Sequence, residues 1–208
     1  MPYYSSVHRG TGFKSRLSTA AYDRAHQIIG EFVGANLESN TVIFGKNSTE
    51  ALNKLAFRFP FQADDIVITT QMEHHSNDLP WRKHAQVVHV HAKANGRFDE
   101  DHFDHLLAKY AGRVALVAVT GASNVSGYLQ PISRLARKAH AAGALILVDT
   151  AQMAPIAAWI CAPTTIQNIS ISSFYPHIKC MLPLALARWL APKRSSCKTR
   201  LITWAAAP

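Results

Sequence analysis

Apolar and polar positions along the first three quarters of the chain alternate between two periods. Ala21, Ile28, Ile29 and Phe32 recur at helical spacing between Leu17 and about Val33, so the spacing predicts a helix there. "TVIF" (41–44) reads as a short strand. "STEALNKLAFRF" reads as a helix opened by Ser48 or Thr49 as its cap. "DIVITT" (65–70) is a strand, a helix follows through Trp81, and "VVHV" (87–90) is a strand again. Phe98–Tyr110 is an amphipathic helix and "VALVAV" (114–119) a strand apolar on both faces. Ile132–Ala142 is a helix, and "ALILVD" (144–149) is a strand ending in an acid. Helices alternating with strands apolar on both sides imply an α/β fold, a mainly parallel sheet sandwiched by helices. In such sheets ligands sit beyond the carboxyl ends of the strands, so the segments after each strand carry the candidate chemistry.

Four such segments stand out. "GKNSTE" follows 41–44, and there Ser48 and Thr49 at a helix N-terminus suit either a phosphate or a plain cap. "QMEHHSNDLPW" follows 65–70. His74 and His75 beside Glu73 are ligand types for a metal, but adjacent histidines in an extended loop converge poorly on one ion; a ring laid over a planar cofactor is the other use, and a plain polar loop the third. "TGASNVSGY" follows 114–119 and places Asn124 between Gly121 and Gly127 in a tight loop. "DTAQ" follows 144–149. Asp149, ending a buried strand, needs a partner such as a protonated ring nitrogen or a helix N-terminus.

Composition changes the picture in one place. The chain of 208 residues has 48% hydrophobic and 17% charged residues, which suits a globular protein with a core. No apolar run is long enough to span a bilayer and no signal-peptide layout opens the chain, so the expectation is a cytoplasmic protein without a membrane contact. The net charge of +9 raises nucleic acid as a partner, yet it is unevenly spread. Residues 1–155 hold all 13 acids and 16 basic residues, an excess of +3, whereas residues 156–208 hold 6 basic residues and no acid. The excess forms no stripe with aromatics, so no nucleic-acid role is expected. The same tail has no glycine but carries three of the four tryptophans and all three cysteines, Cys161, Cys180 and Cys197, which lack metal-ligand spacing.

Together "SSVHRG", "STEALN", "QMEHHSNDLPW", "TGASNVSGYLQPI" and "HAAGALILVDTAQ" resemble the class V aminotransferase family, in its cysteine desulfurase and selenocysteine lyase branch. They occur in family order across residues 4–155. The resemblance implies the large domain of a pyridoxal 5′-phosphate (PLP) enzyme, incomplete here, with a small amino acid as substrate and a homodimer as the assembly. By it, Ser48 and Thr49 would meet the phosphate and His74 would stack on the ring as a catalytic residue. Asn124 and Gln152 would approach the ring oxygen, and Asp149 would pair with the pyridinium nitrogen, while His8 and Arg9 would lie near the substrate mouth. Lys179 would be the catalytic lysine that holds PLP covalently. No metal is implied. The resemblance leaves open a class V aminotransferase or a kynureninase-like hydrolase, and the charge leaves open a non-catalytic basic binding module.

The resemblance breaks at the tail. The family lysine sits in a string like "FSAHK" before a glycine-rich segment, whereas here "FYPHIKCMLPLALARWLAP" surrounds Lys179, with Pro176 in the place of the serine and Ile178 in the place of the histidine. A single-base deletion near Pro155 accounts for this. "IAAWICAP" (156–163) can be encoded ATC GCC GCG TGG ATA TGC GCC CCC. With one C in front, the same bases read HRRVDMRP, a family string. Treated the same way, residues 167–182 can yield "KYLDIVFLSAHKMYAA", and later residues can yield "TGIGAL" and "LLQNTPDHLGGG". The expected organisation is therefore a partial PLP-binding large domain at 1–155 and an out-of-frame tail at 156–208. The resemblance also implies a family segment before "YYSSVHRG" and a small domain with a mobile-loop cysteine, to which no cysteine here maps. Little or no turnover is expected of residues 1–208 as written.

Overall fold

The computed structural model describes residues 4–38 and 40–154 and, beyond them, the backbone of three short strands. In chain order the elements are α1 (Phe13–Phe32), β1 (Asn40–Ile43), α2 (Ser48–Arg58), β2 (Ile66–Thr70), β3 (Gln86–Val90), α3 (Glu100–Lys109), β4 (Val114–Thr120), α4 (Ile132–Ala141) and β5 (Leu145–Asp149). The last three strands are β6 (Ile169–Ser172), β7 (Ala185–Arg188) and β8 (Leu201–Trp204). The main sheet runs β3-β2-β4-β5-β6 with every neighbouring pair parallel. A second sheet joins β1 parallel to β8 and β8 antiparallel to β7.

The sheet is covered on both faces, and the sequence shows why. All five residues of β2 are buried, as are six of seven in β4 and four of five in β5. Successive residues point to opposite faces. Ile66, Ile68, Val117, Val119, Ile146 and Val148 pack on one side with Phe103, Leu106 and Leu107 of α3 and Leu135, Ala136 and Ala139 of α4. Val67, Leu116, Ala118 and Leu147 pack on the other with Leu52, Leu55 and Ala56 of α2 and with Trp81. A strand buried on both sides has no polar period to display, which is why these three read as continuous apolar runs. The α/β class with a parallel sheet between helices is the observed fold.

Three local expectations need correction. The cap of α2 is Asn47, not Ser48 or Thr49: its side-chain oxygen accepts from the amide of Glu50 at 2.8 Å, and the Glu50 carboxylate accepts in turn from the Lys46 amide. This reciprocal arrangement satisfies two backbone donors, and a hydroxyl one position later would be inside the helix. The helix expected through Trp81 is two single 3₁₀ turns, His75–Asn77 and Trp81–Lys83, separated by a stretch that includes Pro80. Last, α1 begins at Phe13, four residues before Leu17, and only some of its periodic apolar positions face inward. Ser15 and Ile29 are buried, whereas Ile28 and Phe32 are about half exposed.

The crossover pattern locates a crevice. From β2 the chain moves outward to β3, then returns to place β4 on the other side of β2. Connections therefore leave β2 and β4 in opposite directions, and the gap opens at their carboxyl ends. That is the usual ligand position in an open parallel sheet.

Candidate functional site

The segments after β1, β2, β4 and β5 meet at that carboxyl edge around a cavity of about 340 Å³. Its walls contain Ser48 and Thr49 from the start of α2, His74 from the turn after β2, Asn124 from the loop after β4, and Asp149 and Gln152 from the end of β5. All six come from the four post-strand clusters singled out in the sequence. Asn47, Ser76, Thr120, Ala122 and Ala151 complete the lining. Lys179 lies outside the described residues, as do Cys161, Cys180 and Cys197. His8 and Arg9 do not line the cavity; His8 instead meets Asp23 of α1 at 3.0 Å, with its backbone at φ 57°.

Each wall has a local cause. With the Glu50 amide bound to the Asn47 side chain, the amides of Ser48 and Thr49 are the first two of an 11-residue helix and lack acceptors within it. They and the helix dipole offer positive potential to an anion. His74 precedes the first 3₁₀ turn, and its Nδ1 accepts from the Ser76 amide at 3.2 Å, with the Ser76 hydroxyl 2.8 Å away. That fixes the ring against the turn and leaves Nε2 as the outward nitrogen. Asn124 is exposed in a loop held by the Ser123 hydroxyl, which accepts from the amides of Val125 and Ser126, and closed by Gly127 at φ 69°. A side chain at φ 69° would strain that turn, so glycine serves there.

Asp149 supplies the negative end. It is 5% exposed, and its Oδ1 accepts from the Ala151 amide at 3.0 Å. Burial pushes its carboxyl up to about 6, with the amide opposing. Among the described residues no basic side chain pairs with it. Glu73, one residue before His74, is half-buried nearby. Burial pushes it up to about 8, against hydrogen bonds from Thr70, the Thr120 amide and Asn77, and the charge of Asp149 adds to the rise. Among the described residues no three histidine, cysteine or acidic side chains converge as metal ligands, and His74 and His75 stand edge to face with ring centres 6.2 Å apart.

The site thus has a helix start with unbonded amides, a histidine ring and a buried carboxyl group lining one cavity. The family model for class V aminotransferases matches residues 1–172. The chain belongs to the class V aminotransferase family. Within this PLP-dependent family it is similar to a cysteine desulfurase of Haloferax volcanii, with 33% identity over 180 residues that cover 83% of this chain and 40% of the relative. A probable cysteine desulfurase of Halobacterium salinarum is 37% identical over 158 residues, covering 74% of this chain and 38% of that one. Among solved structures, the apo cysteine desulfurase of Thermococcus onnurineus superposes with a TM-score of 0.71 at 28% identity, covering 82% of this chain and 43% of that chain. A NifS-like protein of Rickettsia africae, at 19% identity and a TM-score of 0.69, shares the fold. The class V chain therefore spans about two fifths of the length of these curated relatives. No helix among the described residues is long and apolar enough to cross a membrane.

Glu73, Thr120, Asn47 and Ser76 carry no site signal in the local sequence pattern. Their involvement follows from which strand ends become neighbours, which no local pattern encodes.

Proposed function

We propose that this chain binds PLP and forms the cofactor half of a cysteine desulfurase-like site acting on a small amino acid. One observation carries the reading: the start of α2 and the buried Asp149, which meets no basic side chain among the described residues, line the same cavity. The donor set fits the group. Ser48, Thr49 and the free amides of α2 suit a phosphate. Asp149 suits a protonated ring nitrogen, because a buried carboxylate without a cation gains most from one. The imidazole of His74 suits the ring face, and the amides of Asn124 and Gln152 suit the ring oxygen. When bound, PLP supplies an electron sink for charge developing at the α-carbon of an amino acid. The chain's own part is to hold the ring nitrogen protonated through Asp149, to anchor the phosphate at α2 and to orient the ring against His74. Lys179 is proposed as the attachment lysine and proton carrier. The resemblance supports cytoplasmic homodimers.

The tail bears on activity. Residues 156–208 are proposed as an out-of-frame remnant of the same domain, supported by the family strings that regrouping recovers. Purified chain mixed with PLP should bind it, seen as a shifted cofactor absorption retained through gel filtration, while releasing little alanine from cysteine. No binding would overturn the cofactor reading. Robust alanine release would overturn the proposal that the tail disables the enzyme. Sequencing the DNA around the Pro155 codon tests the origin of the tail, and an extra base there means the encoded protein continues in the family frame.

A further inference from the structure

We infer that Glu73 is a positioning residue of the ring-binding wall: its carboxylate fixes, at the crossover between β2 and β4, the turn that presents His74 to the cavity. This rests on the proposed cofactor role of the site. Glu73 Oε1 accepts from the Thr70 hydroxyl at 2.6 Å and from the Thr120 amide at 2.9 Å. Oε2 accepts from Asn77 Nδ2 at 2.6 Å. Thr70 ends β2, Thr120 ends β4, and Asn77 ends the 3₁₀ turn that His74 caps. One side chain therefore ties three segments across the gap where the crossover directions diverge. The Thr70 hydroxyl also accepts from the Met72 amide at 3.1 Å, so its proton is directed to Glu73. Beyond Asn77, the turn is pinned again where its carbonyl accepts from Nε1 of the fully buried Trp81 at 2.9 Å. His74 lies between these anchors, with its backbone held on both sides.

A carboxyl group here does more than tie strands. Thr120, whose amide it receives, is the register partner of Asp149 on β5. Glu73, three residues after β2, and Asp149, at the end of β5, thus both adjoin the end of β4, and the charge of Asp149 acts on Glu73. The other groups facing Glu73 are the neutral donors Thr70, Asn77 and the Thr120 amide. Burial and the charge of Asp149 raise the proton affinity of Glu73, while its three donors favour the ionised form. As the pH rises through about 8, Glu73 loses its proton and a second negative charge appears beside Asp149.

The test uses the full chain and 4′-deoxypyridoxine 5′-phosphate, which lacks the aldehyde and so binds without a lysine. Inorganic phosphate is the second ligand, reporting the start of α2 alone. Glu73→Ala is expected to weaken the ring ligand about tenfold, the scale on which supporting residues act on a bound group, while phosphate affinity stays unchanged. Glu73→Gln, which keeps a carbonyl acceptor, is expected to restore most of the loss. The ratio of native to Glu73→Gln affinity is expected to change across pH 8. If the native chain does not bind the ring ligand, both the cofactor reading and this inference fall. If it binds and Glu73→Ala binds equally well, or loses both ligands alike, this inference alone falls. Should Glu73→Ala not fold, Thr70→Val, which removes the 2.6 Å bond to Oε1, takes its place: ring-ligand affinity that stays native, or that falls together with phosphate affinity, overturns the inference.

Discussion

Replacing Asp149 by asparagine should stabilise the ligand-free protein and weaken its binding of PLP. Asp149 is 5% exposed, and its carboxyl is pushed from the ordinary 3.8 up to about 6 by burial. Because the folded state holds this proton more tightly than the unfolded chain, unfolding releases a proton within that window. Stability contributed by the group is therefore fully present below the ordinary value and is lost as the pH rises to the raised one. At about 1.4 kcal/mol per pK unit, the ionised carboxylate costs about 3 kcal/mol at neutral pH. Asparagine keeps an oxygen for the Ala151 amide and carries no charge, but its new N–H donors cost about 1 kcal/mol if left without a partner. The net expectation is about 2 kcal/mol of added stability at pH 7. Urea unfolding followed by far-ultraviolet circular dichroism at a series of pH values would measure it. The difference between variant and native protein should grow from the ordinary value toward about 6 and level off above. A variant less stable at pH 7, or a difference independent of pH across that interval, would refute the reasoning. The same variant should lose affinity for PLP, as expected of a residue kept at a cost in stability for what it binds.

Other expectations follow from the same geometry. Asn47→Ala should lower stability by about 1 kcal/mol through loss of the α2 cap, whereas Ser48→Ala should not act as a cap deletion; thermal melts of both would decide whether Asn47 is the cap. Trp81→Ala should cost about 3–5 kcal/mol, because it empties a fully buried site and removes the bond to the Asn77 carbonyl. Native protein should lose stability as the pH climbs from 4.5 toward about 8 while Glu73 holds its proton in the folded state. Glu73→Gln should flatten that part of the curve, and an unchanged slope in denaturant melts would count against a raised Glu73.

How much of this was legible in the chain depends on the range of the interaction. The strands β2, β4 and β5 were plain because burial on both faces leaves apolar runs that no polar period interrupts. Helix α1 was plain as a helix but not in its orientation. Ile28 and Phe32 fit the period as well as Ile29 does, yet they face outward and Ser15 faces inward. The cap was misplaced by one or two positions, since Asn, Ser and Thr are all good caps and only the hydrogen bond to the Glu50 amide chooses among them. Glu73 has no role legible in the local pattern, because its partners are Thr70, Asn77 and Thr120, the last of them 47 residues away.

The sequence by itself determined the α/β class, the approximate strands and helices, and the four polar clusters that end up around the cavity. Those follow from hydrophobic period and local hydrogen-bonding chemistry, which act over a few residues. Only the tertiary structure decided the order β3-β2-β4-β5-β6, and with it the crevice between β2 and β4. It also decided that an acid ending β5 and an acid following β2 become neighbours. Proton affinity depends on burial and on charges brought close by folding, so the rise of Asp149 and Glu73 had no counterpart in the linear chain.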